Sequence, residues 1–354
     1  MLPIPKTIML RALSNVGITS IYKSMHTSVL AEKAVEYLDV AENKVFIDMT
    51  FGAGGHSKHI LKSCENVKIF ALDRDPVAYN YAKQLKEKYQ NRVIPLLGKF
   101  SDLSNHLKQH NIKQNSIDGI LFDFGCSSMQ FDEPNRGFSV SKNGPLDMRM
   151  DKERIKDQIT AADILANAEE GDLAKIFRVY GEEKAAKKIA RTIVDVRSTV
   201  QNITTTKQFA ELVASVLSTS HRLNKLQKPV HSATKAFQAL RIFVNNELNE
   251  LNYGMILAHR YLKPEGRLVA ITFHSLEDII VKRHINGNLI DGVANPVPLK
   301  YCSHSTMHEK EMIQPLIESN WKQLHKHVIV PDEEEVSSNP RSRSAKLRAA
   351  IKVK

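Results

Sequence analysis

Along the first third of the chain, short apolar runs alternate with segments whose apolar residues fall at helical spacing. Val29–Leu38 reads as a short helix, Val45-Phe46-Ile47-Asp48 as a buried strand ending in a polar residue, and Ser57–Lys62 as a helix. Lys68–Leu72 is a second apolar strand. Pro76 then opens a helix running toward Lys88, since proline's missing N–H costs nothing in a first turn. Arg92–Leu97, Ser101–His110 and Ile117–Phe122 continue as strand, helix and strand, the last ending at Asp123. Such alternation predicts an α/β fold with a doubly wound parallel sheet and ligands at the carboxyl ends of its strands.

Past Phe131 the period changes. Thr160–Asn167, Asp172–Tyr180, Glu182–Arg197 and Thr206–Leu217 all carry apolar residues at helical spacing, with Thr160 as N-cap and Asp163 three residues on. The stretch 135–230 is therefore expected to be an all-helical insertion between a first core part, 25–134, and a second, 231–354. In the second part a long helix is expected over His231–His259, then the breaker Lys263-Pro264-Glu265-Gly266 and the apolar strand Arg267–Phe273. Weak periodicity over 286–320 reads as a long irregular loop. Trp321–Val330 and Ala345–Val353 are expected as two closing strands joined by the acidic run Asp332–Glu335, although Lys346–Ala350 would suit a helix equally well.

Composition narrows the class. With 42% hydrophobic and 25% charged residues in 354, and no apolar stretch of the ~20 residues a membrane span needs, the chain reads as a globular protein with no membrane partner. Lys and Arg number 50 against 39 Asp and Glu, a net charge of +11 that favours a polyanionic partner such as nucleic acid. Three cysteines, Cys64, Cys126 and Cys302, are too few and too scattered for a disulfide framework. Residues 1–31 hold no acid, and Lys6, Arg11 and Lys23 are interleaved with apolar and hydroxyl residues, so 1–24 resembles an organellar transit peptide.

The turn Met49-Thr50-Phe51-Gly52-Ala53-Gly54-Gly55 lies between the first strand and its helix, where glycines permit a tight bend and let a ligand approach backbone N–H groups. A dinucleotide fingerprint would need a third glycine at position 57, where the chain has Ser57, and the Gly-Lys-Ser/Thr of a phosphate-binding loop is absent. Small residues here suit the carboxypropyl end of S-adenosylmethionine. Asp73, at the end of the second strand, is placed to accept hydrogen bonds from both ribose hydroxyls of a nucleoside cofactor.

Asp123 closes the fourth strand, at the position that faces the transferable methyl group in methyltransferase folds. An exocyclic amine of a nucleobase is a poor nucleophile because its lone pair is delocalised into the ring. A hydrogen-bond acceptor such as the Asp123 carboxylate or a neighbouring backbone carbonyl can draw on the amine's N–H bonds and hold the nitrogen in line, so Asp123 is the catalytic candidate, its alternative role being to contact the cofactor or form the turn. Cys126 raises a rival chemistry, thiolate attack on cytosine C6, but nothing basic adjoins it in sequence and a small buried thiol is the commoner use. Cys302, His304 and His308 lack an evident fourth ligand, and no metal is expected. Arg136, Arg149 and the cluster Arg341, Arg343, Lys346 and Arg348 are candidate phosphate contacts. His274, after the fifth strand, could line the substrate pocket or serve structure alone.

Taken together the motifs resemble the RsmH (also called MraW) ribosomal RNA cytosine-N4 methyltransferases, and within them the mitochondrial methyltransferase-like branch. The likeness is carried by Phe51-Gly52-Ala53-Gly54-Gly55-His56, Leu72-Asp73-Arg74-Asp75, Asp123-Phe124-Gly125-Cys126-Ser127-Ser128-Met129-Gln130, Arg136-Gly137-Phe138-Ser139, Gly144–Asp151, Tyr180-Gly181-Glu182-Glu183, Ala233–Leu248, Phe273–Asp278 and Asn339–Arg348, nearly the whole chain past residue 25. The resemblance implies a Rossmann-like, class I S-adenosylmethionine-dependent fold, with cofactor contacts at Gly54, Gly55, His56, Asp73, Phe100, Asp123 and Gln130. It implies N4-methylation of a cytosine in small-subunit ribosomal RNA, free or in an assembling subunit, within the mitochondrial matrix. It also implies that the helical insertion helps hold the RNA. A catalytically silent assembly factor on the same RNA is the alternative, and the sequence does not decide whether the protein forms a homodimer.

Overall fold

The computed structural model describes residues 28–199, 201–217, 222–223, 229–286 and 320–353. The transit-peptide segment, the loop expected over 286–320 and Cys302 lie wholly or almost wholly outside them. Seven strands form one sheet: β1 (Val45–Asp48), β2 (Lys68–Asp73), β3 (Val93–Leu97), β4 (Ile117–Asp123), β5 (Leu262–Thr272), β6 (Trp321–Gln323) and β7 (Lys346–Lys352), in the order β3-β2-β1-β4-β5-β7-β6. The first five run parallel, as the alternation predicts. β7, which pairs antiparallel with both β5 and β6, makes the sheet mixed and settles Lys346–Lys352 as strand.

Alternate side chains of these strands enter two cores, because successive residues of a strand point to opposite faces. Ile47, Phe70, Leu72, Ile120, Phe122, Leu268 and Ala270 pack on one face. Phe46, Ile69, Ala71, Leu121, Val269, Ile271, Leu347 and Ala349 pack on the other, with α1 (Ala31–Leu38), α2 (Gly55–Ser63) and α3 (Pro76–Tyr89). α4 (Leu103–Gln109) and α5 (Ser128–Asp132) flank β4 in sequence. The expected helices of 135–230 are present as α6 (Ala161–Asn167), α7 (Glu170–Tyr180), α8 (Ala186–Thr199) and α9 (Thr206–Leu217). Thr160 and Asp163 form the anticipated capping box. Ile164, Leu173, Phe177, Ile189, Ile193, Phe209 and Val213 belong to the first core, so the insertion and that sheet face share one apolar interior.

Three expectations are corrected. His231–His259 is two helices, α10 (Thr234–Asn245) and α11 (Glu247–Tyr261), separated at Asn246, whose φ of 51° is left-handed. Asparagine tolerates that region better than most residues. The break is fixed by Asn245, whose side chain accepts from Met150 N–H and donates to Met148 O. The breaker Lys263–Gly266 does not precede β5 but loops out within it: Ile117 pairs with Leu262 and Gly119 with Arg267, and Glu265 takes φ 64°. Of Trp321–Val330 only Trp321–Gln323 is strand, with one isolated bridge from Ile329 to Leu347, and the acidic run starts a helix, α13 (Glu333–Ser338), after α12 (Ser275–Asn286). No described helix is long and apolar enough to cross a membrane.

Candidate active site

From β1 the chain runs outward to β2 on one side and returns to β4 on the other, so the loops after β1 and β4 flank the point where strand order reverses, the usual crevice of an open α/β sheet. The loop after β1 is built around Asp48, which is buried: its carboxylate accepts from Thr50 N–H at 3.1 Å and from Ser57 Oγ at 2.7 Å, tying both ends of the turn together. Gly52 (φ 55°) and Gly54 (φ 76°) supply the left-handed backbone, and a Cβ on Gly54 would lie 2.5 Å from the Phe51 ring. Gly54 caps α2, leaving the N–H groups of the first turn facing away from any side-chain cap. Such a turn can hold a carboxylate.

Asp73 ends β2. Its Oδ2 accepts from Gly52 N–H at 2.7 Å and its Oδ1 from Asp75 N–H at 2.9 Å. Burial pushes its carboxyl up to about 7 against the pull of those two N–H groups, with Asp75 and Asp48 adding to the rise. Phe100, just beyond β3, stands edge-on to Phe122 (5.5 Å) and Phe124 (6.0 Å). Gly254 of α11 lets it sit there, since a Cβ would be 3.1 Å from its ring.

Asp123 ends β4. Its N–H donates to Thr50 Oγ1 at 2.6 Å, which joins the two loops. Oδ2 lies 3.6 Å from His56 Nδ1, and Oδ1 is buried with no hydrogen-bond partner. Burial pushes the carboxyl up to about 6; His56 opposes the rise, Asp48 and Glu277 add to it, and the 26% of the side chain open to solvent tempers it. A buried acceptor left unmatched costs on the order of 1–3 kcal/mol, which is a reason to look for what fills it. The unmatched oxygen and the glycine cradle fit a nucleoside cofactor and a hydrogen-bond-donating substrate.

Gln130 is in a different situation. Its Oε1 accepts from Ser127 N–H and its Nε2 donates to the buried Asp75, which also takes Arg136 Nη1 at 2.7 Å. One amide hydrogen remains for a ligand, so Gln130 chiefly braces the loop after β4. The structure thus brings Gly54, Gly55, His56, Asp73 and Asp123 together at the carboxyl ends of β1, β2 and β4, with Phe100 against Phe122 and Phe124 and Gln130 bonded to Ser127 and Asp75. Asp48, Thr50 and Ser57, which hold the loop's shape, are the residues that sequence reasoning left without a role. Their only signal was a polar residue ending an apolar strand.

The other candidates resolve inward. Arg136 is buried and also donates to the carbonyls of Arg149 and Met150. Arg149 is gripped by Asp147 at 2.9 and 2.7 Å. Arg341 pairs with Asp132, and Lys346 and Arg348 both pair with Asp278. Arg343 stays exposed. A groove of about 670 Å3 is nonetheless lined by Arg136, Arg149, Lys152 and Arg154 against only Glu133 and Asp147. Cys126 meets Arg241 Nη1 at 3.2 Å, a cation that sequence adjacency does not reveal, yet burial dominates and pushes its thiol up to about 11. Nucleophilic thiolate chemistry is thereby disfavoured.

His274 Nε2 lies 2.9 Å from Glu277 Oε1, and Glu277 N–H reaches His274 Nδ1 at 3.5 Å, so the ring serves structure. Among the described residues the one metal-like cluster is Glu247, His274 and Glu277. Arg241, doubly bonded to Glu247 and 3.9 Å from Glu277, already supplies the positive charge there.

A family model described as the MraW methylase family matches residues 23–353. A methyltransferase-like protein 15 homologue of Drosophila melanogaster is 59% identical, over 92% of this chain and 92% of its own length. The 12S rRNA N(4)-cytidine methyltransferase METTL15 of Homo sapiens is 46% identical, over 93% of this chain and 83% of its own. A Culex quinquefasciatus protein named as a receptor-type tyrosine-protein phosphatase is 58% identical over 93% of this chain, but the chain spans only 22% of that relative's length.

Proposed function

This chain belongs to the MraW methylase family, and on that premise we propose that it transfers a methyl group from S-adenosylmethionine to the amino nitrogen N4 of a cytosine in mitochondrial small-subunit ribosomal RNA. The observation that carries the reading is the Asp123 carboxylate at the end of β4, across the strand-order reversal from the glycine turn, with one oxygen unmatched. S-Adenosylmethionine, when bound, supplies a methyl group on a positively charged sulfur. The turn Gly52–Gly55 would hold its carboxypropyl end, Asp73 its ribose hydroxyls and Phe100 its adenine, with His56 and Gln130 completing the wall. Asp123 accepts an N–H of the cytosine amine, which frees lone-pair density on the nitrogen and fixes its direction of approach.

A cytosine reaches such a carboxylate only when unstacked, so a loop or single-stranded stretch of the RNA is the expected target. The net charge of +11 and the cation-lined groove beside Pro76 favour RNA as the partner, and the helical insertion, 135–230, is assigned to holding it. The name of the human relative specifies 12S rRNA, and the acid-free residues 1–31 suit import to the mitochondrial matrix. A silent assembly factor is the weaker reading, because the turn glycines and Asp73 retain the geometry that cofactor binding needs. Incubation with methyl-labelled S-adenosylmethionine and organellar small-subunit RNA, followed by nucleoside analysis, should yield N4-methylcytidine. Recovery of 5-methylcytidine, or of no label, would reject the assignment.

A further inference from the structure

His56 begins the second position of α2, is buried, and makes two contacts. Nε2 lies 2.9 Å from the carbonyl oxygen of Val29, and Nδ1 lies 3.6 Å from Asp123 Oδ2. A carbonyl can only accept, so Nε2 must carry a hydrogen. In the neutral ring Nδ1 would then present a lone pair to a carboxylate oxygen, two acceptors face to face. The contact is favourable only with a proton between them, on the imidazole or on the acid. The Val29 carbonyl therefore fixes both the tautomer and the aim of the ring, as second partners of functional histidines do. We propose that His56 is a positioning residue that acts through Asp123: its Nδ1 edge, aimed by the Val29 carbonyl and 3.6 Å from Oδ2, orients the carboxylate and leaves the other oxygen to take the proton that the substrate amine must lose.

This rests on the reading of Asp123 given above. In the step, the amino nitrogen's lone pair forms the N–C bond while the C–S electron pair goes to sulfur and neutralises the sulfonium. The nitrogen's proton passes to the free oxygen of Asp123 and then to water, and none passes through His56. Asp48 from β1 and Glu277 from α12 raise the carboxyl, and His56 from α2 lowers it; the His56 ring is itself faced by Asp48 and by His59 of the same helix. Removing His56 leaves Asp123 among acids alone, which must move its ionisation to higher pH.

Two measurements test this. In the cofactor-free protein, nitrogen-15 NMR of the histidine rings should find the hydrogen of His56 on Nε2, facing Val29 O, and its Nδ1 resonance should move on Asp123→Asn; a neutral ring with its hydrogen on Nδ1, or an Nδ1 resonance indifferent to Asp123→Asn, overturns the proposal. In the second, His56→Gln, which can still bond Val29 O but cannot carry charge, should shift the acid limb of the kcat profile upward by about one pH unit. It should also lower turnover at pH 7 by about twofold, and by about tenfold at pH 5, with RNA KM unchanged. An acid limb that stays put in a folded His56→Gln protein leaves Asp123 its role and removes His56. If Asp123→Asn itself turns over normally, the reading of the site fails first.

Discussion

At the carboxyl ends of β2 and β4, the side chain of Asp73 takes only backbone N–H groups and that of Asp123 only the edge of a histidine, and burial raises both carboxyls, to about 7 and about 6. Elsewhere in the fold the acids are differently placed. Burial raises Asp151 too, but Arg74 and Arg154 both bond it and bring it below the ordinary range. Asp278 is lowered in the same way by Arg348 and Lys346. An acid braced by two cations is fixed structure. An acid buried without one keeps acceptor capacity for something that arrives: Asp73 and Asp123 at the strand ends are such acids, and Asp48, whose oxygens go to Thr50 and Ser57, is another that the glycine turn uses for its own shape.

The sharpest way to break that contrast is to neutralise one acid of each kind. Asp123→Asn should lower turnover by about a thousandfold while cofactor binding, followed by calorimetry, changes little. Normal turnover would move Asp123 to the structural class. Asp151→Asn should do the converse: with Arg74 and Arg154 left facing an amide, the denaturation midpoint should fall by an amount equivalent to about 3 kcal/mol.

Asp73→Asn should weaken S-adenosylmethionine by about tenfold, measured by calorimetry. In the unaltered protein, affinity should climb between pH 6 and 8 as Asp73 ionises. The sign for folding is opposite. A carboxyl whose pKa is raised in the folded state binds its proton more tightly there, so its contribution to stability is present at low pH and is lost as pH rises from about 4 through 6 to 7. At pH 8 the cofactor-free Asp73→Asn protein should therefore melt no lower than its parent. The smallest effect is expected at Cys126→Ala, where turnover should stay within about twofold because the half-buried thiol, pushed up to about 11, is not ionised. A large loss there would favour the thiolate chemistry set aside above.

How much of this was legible in the sequence divides along the same line. Strands whose apolar residues are contiguous, the glycine turn, the acids at strand ends and the capping box at Thr160 are local signals, and the fold keeps them. What was not legible depends on partners far away in the chain. Arg136 looks like an exposed cation until Asp75, 61 residues away, is brought against it. Asn246 breaks a continuous helical period because Asn245 must reach Met148 and Met150. Residues Lys346–Ala350 fit either period, and β5 decides in favour of strand by offering an antiparallel edge. Asp48 and Thr50 were visible as residues but not as the fasteners of the turn, since that role needs Ser57 and Asp123 in three dimensions.

The most direct test is a crystal structure with S-adenosylhomocysteine and a cytidine-containing oligonucleotide bound together. The cytosine amino nitrogen should stand about 3 Å from a carboxylate oxygen of Asp123, with the cofactor sulfur in line beyond it. An amino nitrogen held elsewhere, with Oδ1 of Asp123 still unmatched or the carboxylate turned to the cofactor, would contradict the account.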